Sequence, residues 1–488
     1  MTSTYQLHET QAAEATKDAR QPRIIAGLRH WAALIVILSG TFMVALDFFI
    51  VNVAIPSLQV ELHASSGAIQ LVVAGYGLAL AAGLITAGRL GDLFGRRRMF
   101  ALGLALFTLT SAICGLAPTP TILVLARVVQ GMAAALLSPQ VLAMLGIVYT
   151  GEDRARAFTM YGLALGFAAV LGQLIGGLLI QSNIAGLGWR TCFLINVPVG
   201  IVALFLTPRI LAESRSERRA RVDLIGAVLV TLGLVAIVLP LIEGRALGWP
   251  GWTWLCLVAS MPLVLAFIVY QRRLSACGRA PLLELSLFRE RAFTVGLVTT
   301  LLFFAGMASF FLVLALYLQE GRGLSALAAG TTFTLLGLGY LVASLYAQRF
   351  TRKWGRQALA IGALVMGAGL AVLYITVMDM GVTGPIILLA PGLLLDGAGM
   401  GLVLAPLSSL VLAGLAPQYA GIAAGVLATM QQVANAFGVA IIGIIFYGTL
   451  GQRNPLSAYP HAFGASLIYL IALAVAVAML LQLLPRKR

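Results

Sequence analysis

The chain has 488 residues, 60% of them hydrophobic and only 10% charged, with a mean hydropathy of +0.98. A soluble domain of this size needs far more surface charge, so composition excludes a soluble globule and leaves an integral membrane protein. The formal net charge of +15 would suggest nucleic acid in a soluble protein, but here Lys and Arg fall in short loops between apolar runs, where they act as orientation signals, and no nucleic-acid partner is expected.

The segment before Trp31 is polar, carries Glu9, Glu14 and Asp18, and lacks a small-residue cleavage site. The apolar run after it is too long for a signal-peptide core, so residues 1–30 read as a disordered cytoplasmic tail and the first helix as retained. A helix needs about 20 apolar residues to cross the hydrocarbon core. Such runs fall near 31–56, 68–88, 98–117, 121–143, 156–181, 191–208, 222–243, 252–271, 292–318, 327–348, 357–378, 383–413, 420–448 and 461–484. Fourteen spans put both termini on one side. With that side cytoplasmic, 27 Lys and Arg lie on inner segments, against four outside (Arg190, Arg245, Arg322, Arg453) and one, Arg127, within a span. The asymmetry predicts a multi-pass protein of the bacterial inner membrane with both termini in the cytoplasm.

A weak internal repeat divides the chain. A shift of 260 lays Arg89, Phe94, Gly95 and Arg96 on Arg349, Trp354, Gly355 and Arg356, and a shift of 266 lays Gly131, Gly172 and Gly177 on Gly397, Gly438 and Gly443. The expected architecture is an all-α membrane protein. It has an N-terminal six-helix bundle over 31–208, a two-helix insert with flanking basic linkers over 209–291, and a C-terminal six-helix bundle over 292–488. Parallel halves of this kind build transporters whose site lies between them near the bilayer midplane.

The four cysteines (Cys114, Cys192, Cys256, Cys277) and four histidines (His8, His30, His63, His461) are scattered without ligand spacing, so neither a metal site nor a cofactor is expected. Intramembrane ionisable residues cost at least about 2.5 kcal/mol each on insertion scales, so each needs a reason. Three stand out: Asp47 in the first span, Arg127 in the fourth and Asp396 in the twelfth. Asp47 and Arg127 lie about seven residues from the outer ends of their spans, roughly 10 Å deep at 1.5 Å rise per residue, and can share one layer. An apolar setting favours the neutral acid and a nearby cation the carboxylate, so small rearrangements would switch Asp47 between the two. A static buried ion pair, or an arginine bonded to backbone carbonyls, is the alternative. Asp396, opposite Gln130 in the repeat, is a candidate second proton site, a counter-charge to a cationic substrate, or a hydrogen-bonding contact to a neighbouring helix backbone.

The fifth span pairs Gly162 with Gly166 and Gly172 with Gly176, followed by Gly177, a spacing that lets helices approach closely and that suits a hinge or seal. Polar and aromatic side chains inside the spans supply substrate-contact candidates: Phe48, Asn52, Tyr76, Gln130, Tyr161, Gln173, Phe304, Tyr317, Gln432 and Asn435, with Asp396. Packing or interhelical hydrogen bonding is the plainer role for each. In the loop Gly88 to Arg98, the glycines permit a tight turn and Asp92 can pair with the adjacent arginines or accept from a helix amino terminus. Gating candidates are therefore Gly88, Asp92, Gly95, Arg96 and Arg97, with Gly172, Gly176 and Gly177.

These motifs resemble those of the major facilitator superfamily, in its fourteen-helix drug/proton antiporter branch. Gly88, Leu90, Asp92, Gly95, Arg96 and Arg97 match the loop signature GxLaDrxGrkxxl, and Asp47 to Pro56 is similar to DxTIVNVALP. Arg127, Gln130 and Gly131 match RxxQG, and Trp189 to Gly200 resembles WRWxFxINVPxG. The resemblance implies that Asp47 is the protonatable carboxylate, Arg127 its coupling partner and the Asp92 loop a cytoplasmic gate. It also implies multidrug efflux by alternating access, driven by the proton gradient without a cofactor. One departure is Gln173, where the branch's GPxxGG motif has proline and a kink. Another is Gln431–Gln432, where an Arg-Gln pair is frequent. The expected function is a proton-coupled antiporter exporting lipophilic or cationic small molecules, acting as a monomer in the bilayer. A dedicated exporter of one endogenous metabolite and an inward proton symporter are the alternatives. A membrane enzyme is disfavoured by the short basic loops, and a channel by the absence of a selectivity ring.

Overall fold

In a computed structural model the structure describes residues 2–215, 223–277, 282–412, 420–451 and 455–484. The basic residues Arg218, Arg219, Arg221, Arg279, Arg453 and Arg486 to Arg488, counted in the charge asymmetry, lie outside them. The described residues form fourteen long helices and no strand. These are α1 (Thr2–Leu62), α2 (Ser66–Phe94), α3 (Arg96–Gly115), α4 (Pro120–Val148), α5 (Gly151–Ser182) and α6 (Gly188–Ile210, opening with a short irregular turn). Then come α7 (Leu224–Ala246), α8 (Gly251–Ala276), α9 (Arg291–Leu316), α10 (Ala326–Trp354), α11 (Arg356–Met380), α12 (Ala390–Leu412), α13 (Ala420–Leu450) and α14 (Ala458–Gln482). Helical backbone extends back to Thr2, through the segment expected to be a disordered tail. That segment is rich in Ala, Glu, Gln, Lys and Arg, all strong helix formers.

Thirteen of these helices are long and apolar enough to cross a bilayer unbroken, and α5 joins them as a pair, Glu152–Ala169 and Leu171–Ser182, bent by 42°. The bend therefore survives the replacement of proline by Gln173. Its physical basis is a different one: Gly172 removes a side chain at the bend, and the Gln173 side chain donates from Nε2 to the Phe49 carbonyl of α1 at 2.9 Å, pinning one limb to a neighbour.

The repeat seen in the sequence is present in three dimensions. Ser65 caps α2 by accepting from the Ala68 amide at 3.2 Å, and Ser325 caps α10 by accepting from Ala328 at 3.3 Å. Both helices end at a glycine in the positive-φ region, Gly95 at φ 105° and Gly355 at φ 55°, from which the next helix starts at once. A Cβ on Gly131 of α4 would press on the Tyr76 carbonyl of α2, and one on Gly397 of α12 on the Leu336 carbonyl of α10. The two halves, α1–α6 and α9–α14, are thus built by the same contacts. At Gly355 the backbone angles (φ 55°, ψ −131°) are open almost only to glycine, while no atom crowds its Cβ position. Gly355→Ala should therefore destabilise by roughly 1–3 kcal/mol through backbone strain alone, read as a lowered thermal midpoint in detergent.

The halves also exchange helices reciprocally across their junction. Gly177 of α5 abuts Ala326 and Leu327 at the start of α10, while Gly443 of α13 abuts the Gln70 side chain near the start of α2. Helix α7 packs on both α2 and α13, and α8 packs chiefly against α7 among the described residues. Trp254, Leu255, Val258 and Met261 of α8 are exposed, as lipid-facing residues are.

Candidate functional site

Four helices of the N-terminal half converge on Asp47. Asp47, Arg127, Gln130 and Ser111 have no exposed surface at all, and Asn196 has 1%. Arg127 Nη1 of α4 pairs with Asp47 Oδ2 of α1. The other carboxylate oxygen accepts from Gln130 Nε2 and from Asn196 Nδ2 of α6, each at 3.0 Å. Ser111 of α3 joins the two amides, accepting from Gln130 at 2.7 Å and from Asn196 at 3.2 Å. Such a site is tolerable in a membrane because the carboxylate is paired with a cation and both of its oxygens accept hydrogen bonds.

Arg127 has anchors besides Asp47. Its Nε donates to the Val72 carbonyl of α2 at 3.0 Å, and its Nη1 also donates to Gln130 Oε1 at 2.7 Å. Its guanidinium lies 4.2 Å from the centroid of the Tyr76 ring, a cation–π contact, and Nη2 has no partner. Tyr76 is itself fixed by donating to the Val44 carbonyl at 3.2 Å. If Asp47 becomes neutral, the arginine keeps two hydrogen bonds and an aromatic face. The site can therefore change charge at Asp47 without stranding its cation.

The structure brings Asp47, Arg127, Gln130 and Tyr76 into one cluster, with Phe48 beside Tyr76 at 6.4 Å between ring centroids. Asn52 donates to the Phe49 carbonyl of its own helix at 3.1 Å, the carbonyl that Gln173 also reaches. Gly172 and Gly176 pack on Phe49 and Ile50 of α1. Phe49 in turn meets Phe311 of the C-terminal half, centroids 5.1 Å apart. Tyr161 is partly buried on the limb of α5 nearer Gly95. In α13, Asn435 donates to Gln432 at 3.3 Å, and the Gln432 carbonyl comes against Gly77 of α2. Phe304 lies on α9 and Tyr317 opens the π-helical turn that follows it, Tyr317–Gly321. Tyr317 stacks on Phe463 at 4.6 Å and donates to the Gly381 carbonyl at 2.8 Å, both within the C-terminal half. Asp396 is 2% exposed inside the C-terminal half, with no hydrogen bond to Oδ2. Asn196, Ser111 and Cys114, the last 3.6 Å from Gln130, escaped the reading of the sequence. The INVP stretch at Ile195 to Pro198 was the available signal for Asn196; the other two had none.

The basic loop is bound within its own half. Asp92 pairs with Arg96 at 2.8 Å across one turn. Glu213, in the linker after α6, accepts from the Arg97 amide at 3.1 Å and lies 3.8 and 3.7 Å from the Arg97 and Arg98 guanidinium groups. Gly95 offers no side chain to cap α3, so the distant Glu213 does so. Among the described residues, the loop has no ionic partner in the C-terminal half.

Residues 37–439 match the family model of the Major Facilitator Superfamily. The chain is 38% identical over 430 residues to a probable actinorhodin transporter of Streptomyces coelicolor, covering 88% of this chain and 74% of that one. It is 36% identical to a puromycin resistance protein of Streptomyces alboniger (93% and 90% covered) and 35% identical to a cephamycin export protein of Amycolatopsis lactamdurans (91% of each). Among solved structures it is similar in fold to a POT family peptide transporter (TM-score 0.67, 14% identity, 93% and 97% covered). A D-xylose–proton symporter is similar too (TM-score 0.64, 16% identity, 93% and 98% covered).

Proposed function

Because the chain belongs to the major facilitator superfamily and is a multi-pass membrane transporter rather than an enzyme, we propose that it exports lipophilic, often cationic, small molecules in exchange for protons. The observation that carries this reading is the Asp47 site. One buried carboxylate holds a single cation whose other anchors, Val72, Gln130 and Tyr76, persist when the carboxylate is neutralised. The proton gradient is the only energy source such a site needs. In this reading the protein sits in a bacterial inner membrane as a monomer with both termini cytoplasmic. Asp47 exchanges the proton, Arg127 tunes it, and aromatic and amide side chains along α1, α2, α5, α9 and α13 receive the substrate.

Alternating access is supported by where the halves touch. The contacts of Gly177 with Ala326, Gly443 with Gln70 and Gly330 with the Gln173 carbonyl all lie toward the end away from Gly95 and Gly355. At the basic end, Glu152 to Arg154, Arg156, Phe158 and Met160 of α5 are exposed, and Gly162 faces open space. In this reading, with the basic end cytoplasmic, the protein is in an inward-facing state and the Asp92 loop is disengaged from the opposite half.

Asp92 then acts in the alternate state. Its half-buried pair with Arg96 spans a single turn and is worth no more than about 1 kcal/mol here, so Asp92→Asn should leave expression and melting close to wild type. A carboxylate at a helix amino terminus contributes up to about 2 kcal/mol, so transport should slow by up to about thirtyfold. Equal transport at equal expression would reduce the loop to an orientation signal.

Some relatives are named for one compound and others for multidrug resistance or drug efflux; the former favour a dedicated exporter as the second reading. Proteoliposomes with an imposed pH gradient, tested with ethidium, puromycin, actinorhodin, cephamycin and tetracenomycin C, separate the two: several unrelated compounds carried means a multidrug exporter, one means a dedicated one. Uptake unaffected by collapsing the gradient would overturn proton coupling itself.

A further inference from the structure

We propose that Asp396, with the apolar void it lines, is a second proton-binding site in the C-terminal half, the counterpart of the Asp47 site. The proposal deepens the antiport reading and rests on it. Three observations carry it.

The first is placement. The Asp47 cluster draws on α1, α3, α4 and α6. The void at Asp396 is enclosed by α9, α11, α12 and α14, the same four helices of the repeat. Asp396 immediately precedes Gly397 as Gln130 precedes Gly131, and these two glycines make the equivalent contacts on Leu336 and Tyr76. The charge of the N-terminal half sits on α1 and α4. In the C-terminal half a single acid occupies the position of the central amide.

The second is the missing partner. Around Asp396 the walls are Met307 and Phe310 of α9, Met366 of α11, Met400 of α12 and Leu470 of α14. None can neutralise a carboxylate, and Oδ2 accepts no hydrogen bond. The helices packed against it carry tyrosines, none of which lines the void. Tyr340 of α10 points to Gly166, Tyr374 of α11 lies against Gly464, and Tyr469 of α14 is outside the lining. The remaining charged or titratable residues of these helices and of α13, namely Arg291, Tyr346, Arg349, Arg352, Lys353, Arg356, Asp379, Tyr447, Tyr459 and His461, do not line the void, and the charged ones lie at or near helix ends. An ion without a partner in these surroundings is strongly disfavoured, so the group rests here as the neutral acid, holding its proton. The void is about 10 Å³, close to the least that admits one water. It suits a proton and excludes a drug-sized ligand in this state.

The third is a mechanical link. Gly397 seats α12 directly on α10, and Gly330 of α10 seats on the Gln173 carbonyl beside the bend of α5. Parting of the halves at α5 and α10 therefore bears on the helix that carries Asp396. Once water reaches it the carboxylic acid releases its proton, and it takes one up again as the bundle closes, with no other bond made or broken.

Two measurements on the full chain in lipid test this. In infrared difference spectra between acidic and alkaline buffer, D396N should lose one titrating carboxyl band that D47N retains. In proteoliposomes with the membrane potential clamped and a one-unit pH gradient, D396N should accumulate ethidium about tenfold less than wild type, because one proton fewer drives each exchange. An infrared spectrum of D396N that keeps every titrating band of the wild type overturns the proposal even if that variant transports nothing. Ethidium accumulation equal to wild type overturns it as well. A D47N protein that keeps full coupling would instead remove the Asp47 reading and leave the Asp396 result to stand by itself.

Discussion

Asp47→Asn is expected to reduce gradient-driven transport to the level of empty liposomes and to lower stability at the same time. The carboxylate accepts from three side chains, Arg127, Gln130 and Asn196. An amide in its place presents one oxygen and one NH2, so a donor confronts a donor on one side. Arg127 meanwhile remains fully buried, with Nη2 already unpartnered. Breaking a buried ion pair by removing one partner costs about 3–5 kcal/mol, partly offset here by the Val72, Gln130 and Tyr76 contacts that survive. Stability and coupling separate in the double variant Asp47→Asn, Arg127→Gln. Removing both charges should recover much of the melting temperature, whereas transport should stay at background because no group is left at this site to take the proton, and Asp396 adds its proton only to an exchange that Asp47 couples. If the double variant regained both, Asp47 and Arg127 would be a structural pair and the exchanged proton would have to be sought elsewhere. If Asp47→Asn alone transported normally under a pH gradient, proton exchange at this site would be excluded.

Asp47 and Arg127 were legible because ionisable side chains in apolar runs are expensive, and expense points to a purpose. Their partners were not. Asn196 lies 149 residues from Asp47 and Ser111 lies 19 residues from Gln130, and small neutral polar residues enter membrane helices cheaply, so nothing in their own surroundings singles them out. The same holds at the basic loop. Its glycines and arginines announce a turn, yet the cap of α3 is Glu213, 116 residues away from the amide it accepts, in a linker read only as charged. Gln173 shows the converse. A missing proline suggested a straighter helix, but α5 bends by 42° through a glycine and a side-chain bond to α1, causes that a local pattern does not display. The repeat was legible at a few glycines because glycine marks both a positive φ and the closest helix contacts, the places where two copies of a fold resist divergence most.

Gly177→Val should arrest the cycle without unfolding the protein. A Cβ at Gly177 would stand 2.5 Å from the Ala326 carbonyl oxygen and 2.8 Å from Leu327 Cα, both backbone atoms of the opposite half. Overpacking of this kind costs about 1–3 kcal/mol when the structure must absorb it. Here the strain can be relieved by parting the two halves at that end, since Gly177 meets them across their junction. Gly131→Val offers the contrast. Its Cβ would meet Tyr76 and Ala79 within the N-terminal half, where no rigid-body movement relieves the strain, so that variant should lose thermal stability instead. Gly443→Val, the repeat partner of Gly177, meets the carboxamide of Gln70, the far end of a flexible side chain, and should be mild. Spin labels on Ser182→Cys and Leu456→Cys, with Cys256 and Cys277 replaced by serine, report the opening: Gly177→Val should lengthen their separation and stop ethidium efflux at unchanged expression. An unaltered distance with full transport would mean that the α5–α10 contact is not the seal of the closed end. The halves would then have to pivot on the other reciprocal contact, where Gly443 of α13 meets α2.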